Sequence, residues 1–294
     1  VHMLVVDAHR GGHPTPMSST KAVLRLAENI DDDGRLNHRA AIKLVESIDE
    51  FTHIATTSGC ERVMAFATSA VRSATNSDEV LKRVEKKTGV KLNILSGEEE
   101  AQLTFLAARR WHGWSAGRIT NLDIGGGSLE LSTGTDEHPD LAFSLDLGAG
   151  RLTHNWFDTD PPEKKKVSAL RDFTDAELED AVTQMKAMGP AGLAVGTSKT
   201  FRTLSRLTGA APSSAGPYVK RTLTAPGLRR IDDVVRRSSR SPAPGPVTEK
   251  RVSAVMSYIA TALRVFQASH AAIGEWNWAD QASRGGAAHS AGIS

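Results

Sequence analysis

Residues Asn121–Gly134 read NLDIGGGSLELSTG. Ile119 and Ile124 precede three consecutive glycines, and Leu129 and Leu131 follow them. Apolar residues alternating on both sides predict a strand before the glycines and a strand after them. That pattern excludes the two common phosphate loops, which run from a strand into a helix. It predicts instead a β-hairpin whose tip, Gly125, Gly126, Gly127 and Ser128, presents main-chain amides, with Asp123 at its entry and Glu130 at its exit. Without Cβ atoms, glycine amides can approach an anion closely. A carboxylate beside a phosphate cradle suits Mg²⁺, which is usually held by one or two carboxylates plus phosphate oxygens. An ordinary glycine-rich hairpin turn accounts for the same residues.

Outward from this hairpin the chain alternates strands and helices in two batches. "HMLVVDA" reads as a strand ended by the turn "HRGG", and "NHRAAIKLVESIDEF" carries Ala41, Leu44, Val45 and Ile48 at helical spacing. "RVMAFATSAVRSATN" reads as a strand running into a loop. "SDEVLKRVEKKTG" is a helix with a serine N-cap and a closing glycine. "VKLNILSG" is a strand and "EEEAQLTFLAARRW" a helix. After the hairpin come a strand with a Gly-rich turn ("LAFSLDLGAGRLTHNW"), a capped helix ("FTDAELEDAVTQMKAMG") and a strand, loop and helix ("AGLAVGTSKTFRTLSRLTG"). The pattern predicts a two-domain α/β protein. Beyond Leu228, "RRIDDVVRRSSRSPAPGP" reads as an Arg/Ser/Pro-rich linker, followed by a helix bearing Val252, Met256, Ile259, Leu263 and Phe266 and by a frayed polar tail.

The chain has 294 residues, 39% of them hydrophobic and 24% charged, with a formal net charge of +2. Such balance gives no argument for nucleic acid, and an aromatic content of 5% offers few stacking platforms. Arg229 to Arg251 could contact nucleic acid, but its proline and serine favour a solvated linker. No apolar run has the length of a membrane span. The single cysteine, Cys60, excludes an intramolecular disulfide framework and fits a cytoplasmic protein.

Three further clusters carry chemistry. "LSGEEEA" places three glutamates in a helix's first turn; the helix dipole favours them there, and one of them could serve as a general base. "GTSKTFRTL" puts Gly196 followed by Thr197, Ser198 and Thr200 at the start of a helix, as an anion site or as a plain N-cap. In "ATSAVRSATN", Thr68 and Arg72 could clamp a phosphate or form a solvated turn.

Taken in order, "FATSAVRSATN", "ILSGEEEA", "LDIGGGSLEL", "LGAGRLT" and "AVGTSKTFRTL" resemble the exopolyphosphatase / guanosine pentaphosphate phosphohydrolase (Ppx/GppA) phosphatase family of bacteria, over Val1 to about Leu228. The resemblance implies two ribonuclease-H-like domains of the actin-like and sugar-kinase ATPase superfamily with a cleft between them. The bounds expected are 1–116 for the first domain, 117–228 for the second, and 229–294 for linker, helix and tail. It implies Glu100 as catalytic base, with Glu98 and Glu99 structural, and Asp123 and Glu130 as Mg²⁺ ligands. Gly125, Gly126, Gly127, Ser128, Thr68, Arg72, Gly196 and Thr197 fall at the family's phosphate-binding positions. Arg25, Arg72, Arg151 and Lys199 are candidates for a cationic path. The activity implied is Mg²⁺-dependent hydrolysis of the terminal phosphate of inorganic polyphosphate. Guanosine pentaphosphate, a substrate that would link the protein to the stringent response, is the alternative, because both molecules lose a terminal phosphate from a chain. A homodimer is compatible with the family.

Two departures from the family pattern suggest a third reading, an impaired protein that binds alarmone or polyphosphate without turning it over. The family opens with a strand and an Asp-x-Gly-Ser-Asn-(Thr/Ser) loop just before the position of Val1, and the stretch after Leu228 diverges. The chain as given is therefore expected to be a poor hydrolase. Adding about 12 to 20 upstream residues that carry such a loop, a length set by a strand and its turn, should raise phosphate release per folded molecule. Equal rates with and without the addition would show that loop to be dispensable.

Overall fold

The computed structural model describes residues 1–9, 15–160, 162–216, 218–238 and 276–278. The chain groups into two compact units that divide between Glu100 and Ala101.

In the first unit, β1 (His2–Asp7) pairs antiparallel with β2 (Thr15–Lys21), with a register shift between Val5 and Val6. Helix α1 (His38–Thr57) begins where the Asn37 side chain accepts the Ala40 amide, a standard N-cap. It buries Ala41, Leu44, Ile48 and Phe51 along one stripe. A short parallel pair, β3 (Phe66–Ala67) and β4 (Asn93–Ile94), flanks α2 (Ser69–Arg72) and α3 (Ser77–Thr88). The cap of α3 is Asn76 rather than Ser77, and its side chain exchanges two hydrogen bonds with the Leu36 main chain, at 2.8 and 3.1 Å. Gly89 closes α3 at φ 71°, where glycine carries no Cβ penalty. Leu36, Leu44, Ile48, Val71, Val80 and Val84 form this unit's core. Of the strand expected in "VKLNILSG", only Asn93 and Ile94 pair.

The second unit is built on a sheet of order β7-β6-β5-β8-β10-β9. Its strands are β5 (Ile119–Ile124), β6 (Leu129–Gly134), β7 (Leu141–Leu145), β8 (Leu193–Gly196), β9 (Thr222–Leu223) and β10 (Trp276–Trp278). β5 and β6 form the expected hairpin, in register from Ile119↔Gly134 to Ile124↔Leu129. β8 runs parallel to β5 after a crossover through α5 (Ala149–Trp156) and α6 (Lys164–Ala187). Leu122, Ile124, Leu129 and Leu131 point to one face and pack with Leu152, Leu170, Leu178, Phe201 and Leu204 from α5, α6 and α7 (Lys199–Leu207). On the other face, Ile119 and Val195 pack with Phe105 and Ala108 of α4 (Gly97–His112). That packing draws most of α4 into the second unit, ahead of the Gly117 start expected for the second domain.

Three expectations change. The residues after Gly148, read as part of a glycine-rich turn, form helix α5. α6 starts at Lys164, well before "FTDAELE". Arg229–Ser238, expected in the linker, belongs to α8 (Ala225–Ser238): Leu228 is buried, Ile231 packs on the core, and Asp232 pairs with Arg171 at 2.7 Å. Four arginines in ten residues hid that apolar spacing. β10 was not foreseen, and the helix expected over 252–266 lies outside the described residues.

Arg109 locks α4 to the hairpin. It has no exposed surface, and its guanidinium donates to the carbonyls of Gly113 at 3.1 Å, Gly117 at 2.7 Å and Gly134 at 2.9 Å. Its charged group lies 5.8 Å from the Phe105 ring centroid. Arg109→Leu leaves the buried Gly134 carbonyl unpaired and removes two further bonds, and should destabilise the protein by about 3 kcal/mol, the upper end for a buried polar group left unpaired. Chemical denaturation checks this; an unchanged midpoint would show the clasp to be dispensable.

Candidate active site

The glycine loop is held from one side. Gly125 donates to the Ser128 carbonyl at 2.9 Å and closes the hairpin tip. The carbonyls of Gly125 and Gly126 then accept the amides of Ala149 and Arg151 from α5, both at 2.9 Å. The Gly127 carbonyl accepts Arg151 Nε, also at 2.9 Å. In a planar trans peptide the N–H points opposite the C=O. Turning three successive carbonyls toward α5 therefore turns the amides of Gly126, Gly127 and Ser128 away from it. None of these three amides donates a hydrogen bond to another described residue. A row of main-chain donors facing one way is an anion nest. Arg151, a cationic-path candidate, is thus engaged in holding the loop, and it also pairs with Asp146 at 3.3 Å.

Gly148 makes this approach possible. A Cβ there would lie 2.2 Å from the Gly127 carbonyl carbon and 2.3 Å from the Ser128 nitrogen. Its φ of −69° is open to any residue, so space, not backbone conformation, demands glycine.

Asp123 and Glu130 are cross-strand partners on the hairpin, so their side chains share a face. Glu130 is 2% exposed and accepts the Ser144 hydroxyl at 3.1 Å. Asp123 accepts the Thr197 hydroxyl at 3.0 Å. Like charges directly opposite across a ladder destabilise it. A divalent cation relieves that repulsion, and two carboxylates are the usual protein share of an Mg²⁺ site. Among the described residues no larger cluster of metal-ligating side chains occurs. The donor set therefore fits a hard cation that keeps oxygen ligands from elsewhere.

The stretch after β8 supports this site. The Thr197 amide donates to Leu122 O at 2.9 Å and the Thr200 hydroxyl to Ile124 O at 2.8 Å, tying the start of α7 to β5. Ser198 caps α7, and Gly196 leaves room for the Phe201 ring, which a Cβ would meet at 2.6 Å. Thr197 is thus bonded to Asp123, and Gly196 packs against Phe201. Lys199 is exposed, and Arg25 pairs with its neighbour Glu28 at 3.3 Å.

Thr68, Arg72 and Glu100 come together in the first unit. Ser96 and Glu99 form a capping box: the Ser96 amide donates to Glu99 at 2.7 Å, and the Glu99 amide to Ser96 Oγ at 3.1 Å. Glu99 is thereby structural, and hydrogen bonds from the Ser96 amide and hydroxyl hold its carboxyl below the ordinary glutamate range. One residue on, Glu100 is turned inward and its side chain is 19% exposed. It meets Arg72 at 3.3 Å, while the same Arg72 nitrogen donates to Leu95 O at 2.7 Å. Burial pushes the Glu100 carboxyl above its ordinary range; the Arg72 guanidinium and the Thr68 hydroxyl act in the opposite direction. A buried carboxyl with raised proton affinity and a fixed orientation has the attributes of a general base. Gly148 was not singled out from the sequence, although it lies in a motif that was.

A family model described as the Ppx/GppA phosphatase family matches residues 5–289. Exopolyphosphatase 1 of Mycobacterium tuberculosis is 65% identical over 238 residues, which cover 81% of this chain and 69% of that protein. Exopolyphosphatase 1 of Mycobacterium leprae is 60% identical over 253 residues, 85% of this chain and 75% of that protein. Two solved structures share the fold. The Aquifex aeolicus PPX-GPPA enzyme has a TM-score of 0.76 at 23% identity, covering 98% of this chain and 94% of that one. An exopolyphosphatase from Cytophaga hutchinsonii has a TM-score of 0.80 at 20% identity, covering 95% and 90%.

Gly148→Ala should displace the loop and weaken tripolyphosphate binding at least about tenfold, the value of one hydrogen bond to a charged group. Calorimetric titration of the folded variant checks this. Binding equal to the parent's would show that the loop does not hold the anion.

Proposed function

Because the chain belongs to the Ppx/GppA phosphatase family, we propose that it is an exopolyphosphatase, removing the terminal phosphate of inorganic polyphosphate. The observation that carries this reading is the row of three amides at Gly126, Gly127 and Ser128, turned away from α5 at the tip of the hairpin that carries Asp123. Such a row receives phosphoryl oxygens without reorganising at the moment of reaction. The names of the mycobacterial relatives support polyphosphate as the substrate.

In this reading a water oxygen attacks the terminal phosphorus. Glu100 takes a proton from that water, and the bridging P–O bond breaks to leave a chain one phosphate shorter. Arg72 and Thr68 position the Glu100 carboxylate. The loop amides bind the non-bridging oxygens of the terminal group. Asp123 and Glu130 would hold Mg²⁺, which when bound supplies positive charge against the phosphoryl oxygens. Thr197 and Ser144 keep those two carboxylates in place. Cytoplasmic residence fits the single cysteine. Among the described residues no helix is long and apolar enough to cross a membrane.

Glu100→Gln should lower phosphate release from polyphosphate about a hundredfold or more, the usual scale of general-base loss, while Glu98→Gln should cost little. Unchanged turnover in Glu100→Gln would remove that residue from the mechanism. Asp123→Ala should raise the Mg²⁺ concentration needed for half-maximal rate. Faster hydrolysis of guanosine pentaphosphate than of polyphosphate would favour the sister activity, and hydrolysis of neither a binding protein.

The base works deprotonated and burial raises its proton affinity, so the rate should fall with acidification at a pH above the ordinary glutamate range. Arg72 opposes that rise. Arg72→Leu should therefore move the acid limb of the pH–rate profile to higher pH. An unmoved limb would assign it to another group.

A further inference from the structure

The face of the hairpin that carries Asp123 and Glu130 has three rungs. Ile119 and Gly134 form the lowest, where a Cβ on Gly134 would meet the Phe105 ring at 3.1 Å. Asp123 and Glu130 form the highest. Between them Asn121 stands opposite Ser132. Both residues of this middle rung have no exposed surface. The Asn121 Oδ1 and Nδ2 atoms and the Ser132 hydroxyl have no hydrogen-bond partner among the described residues.

Three unpartnered polar atoms on one rung are too many to be incidental, because buried side-chain polar atoms are nearly always paired, with protein or with ordered water. The neighbours across the ladder cannot supply partners. Val195 stands beside Asn121 and Ala142 beside Ser132, and Ile119 lies below. The polar groups in line are the two carboxylates one rung up. Rungs on one face are about 6.8 Å apart, two residues at the strand rise. That is the span of two hydrogen bonds through one water.

We propose that Asn121 and Ser132 hold a buried water beneath Asp123 and Glu130, and that this water orients the Glu130 carboxylate for the divalent cation. The water accepts from Asn121 Nδ2, donates to Glu130, and shares its remaining bond with the Ser132 hydroxyl. Those three bonds are the usual complement of a buried water. Asn121 and Ser132 are thus positioning residues, acting on the cation through Glu130. The inference rests on the reading of Asp123 and Glu130 as the metal pair.

Calorimetric Mg²⁺ binding without substrate, together with thermal melting, tests it in the full chain. Ser132→Ala and the double change Asn121→Leu with Ser132→Ala should bind Mg²⁺ about tenfold to a hundredfold more weakly, the usual cost of losing an outer partner of a ligand. The melting temperature of the double variant should hold or rise, because both polar groups of the rung are replaced by apolar ones. Ser132→Thr, which keeps the hydroxyl, should restore binding. Parent-like Mg²⁺ affinity in Ser132→Ala and in the double variant would overturn the proposal and leave the rung a matter of packing. Parent-like affinity in Asp123→Ala would instead overturn the metal reading, and this proposal with it.

Discussion

The second unit depends on the turning of three carbonyls. Gly125, Gly126 and Gly127 give their oxygens to the first turn of α5, and the turning of the next three amides away from that helix follows. The helix can do this because Leu152 anchors it in the core and because Gly148 lets it approach within bonding distance of the loop. The loop's amides are thus oriented by packing in the hydrophobic core rather than by the ligand. A site built in this way spends none of its binding energy on arranging its own donors.

The other half of the chemistry shows how finely a helix start separates roles. Glu99 and Glu100 are neighbours with the same side chain. The helix turns about 100° per residue, so Glu99 folds back onto Ser96 while Glu100 enters the interior beside Arg72. Their carboxyls are driven in opposite directions, one downward by the Ser96 amide and one upward by burial. The acidic first turn is both a helix signal and a source of a base.

Much of this was legible because it follows period-two or period-3.6 patterns. The hairpin register, the buried stripe of α1 and the strand–loop–helix around Gly196 could all be read from apolar spacing. What escaped was set by contacts distant in sequence. Nothing local to Gly148 says that Gly127 will pack on it. Arg151 looked like a surface cation because its bonds to the loop and to Asp146 are not marked in the sequence around it. α8 was lost among arginines because, among its described side chains, Ala225, Leu228 and Ile231 declare its inner face. The bond from Thr197 to Asp123 spans 74 residues and could not be read locally.

Arg109 has a consequence for the order in which the molecule assembles. A guanidinium taken out of water is costly unless acceptors replace that water. Two of these, Gly113 and Gly117, lie just beyond its own helix, but Gly134 comes only with the end of β6. Burying Arg109 is therefore least costly when the C-terminal half of α4 and the hairpin close together. This makes them a single cooperative unit of opening and closing, and the carboxylates and glycine loop at the hairpin's far end share its fate.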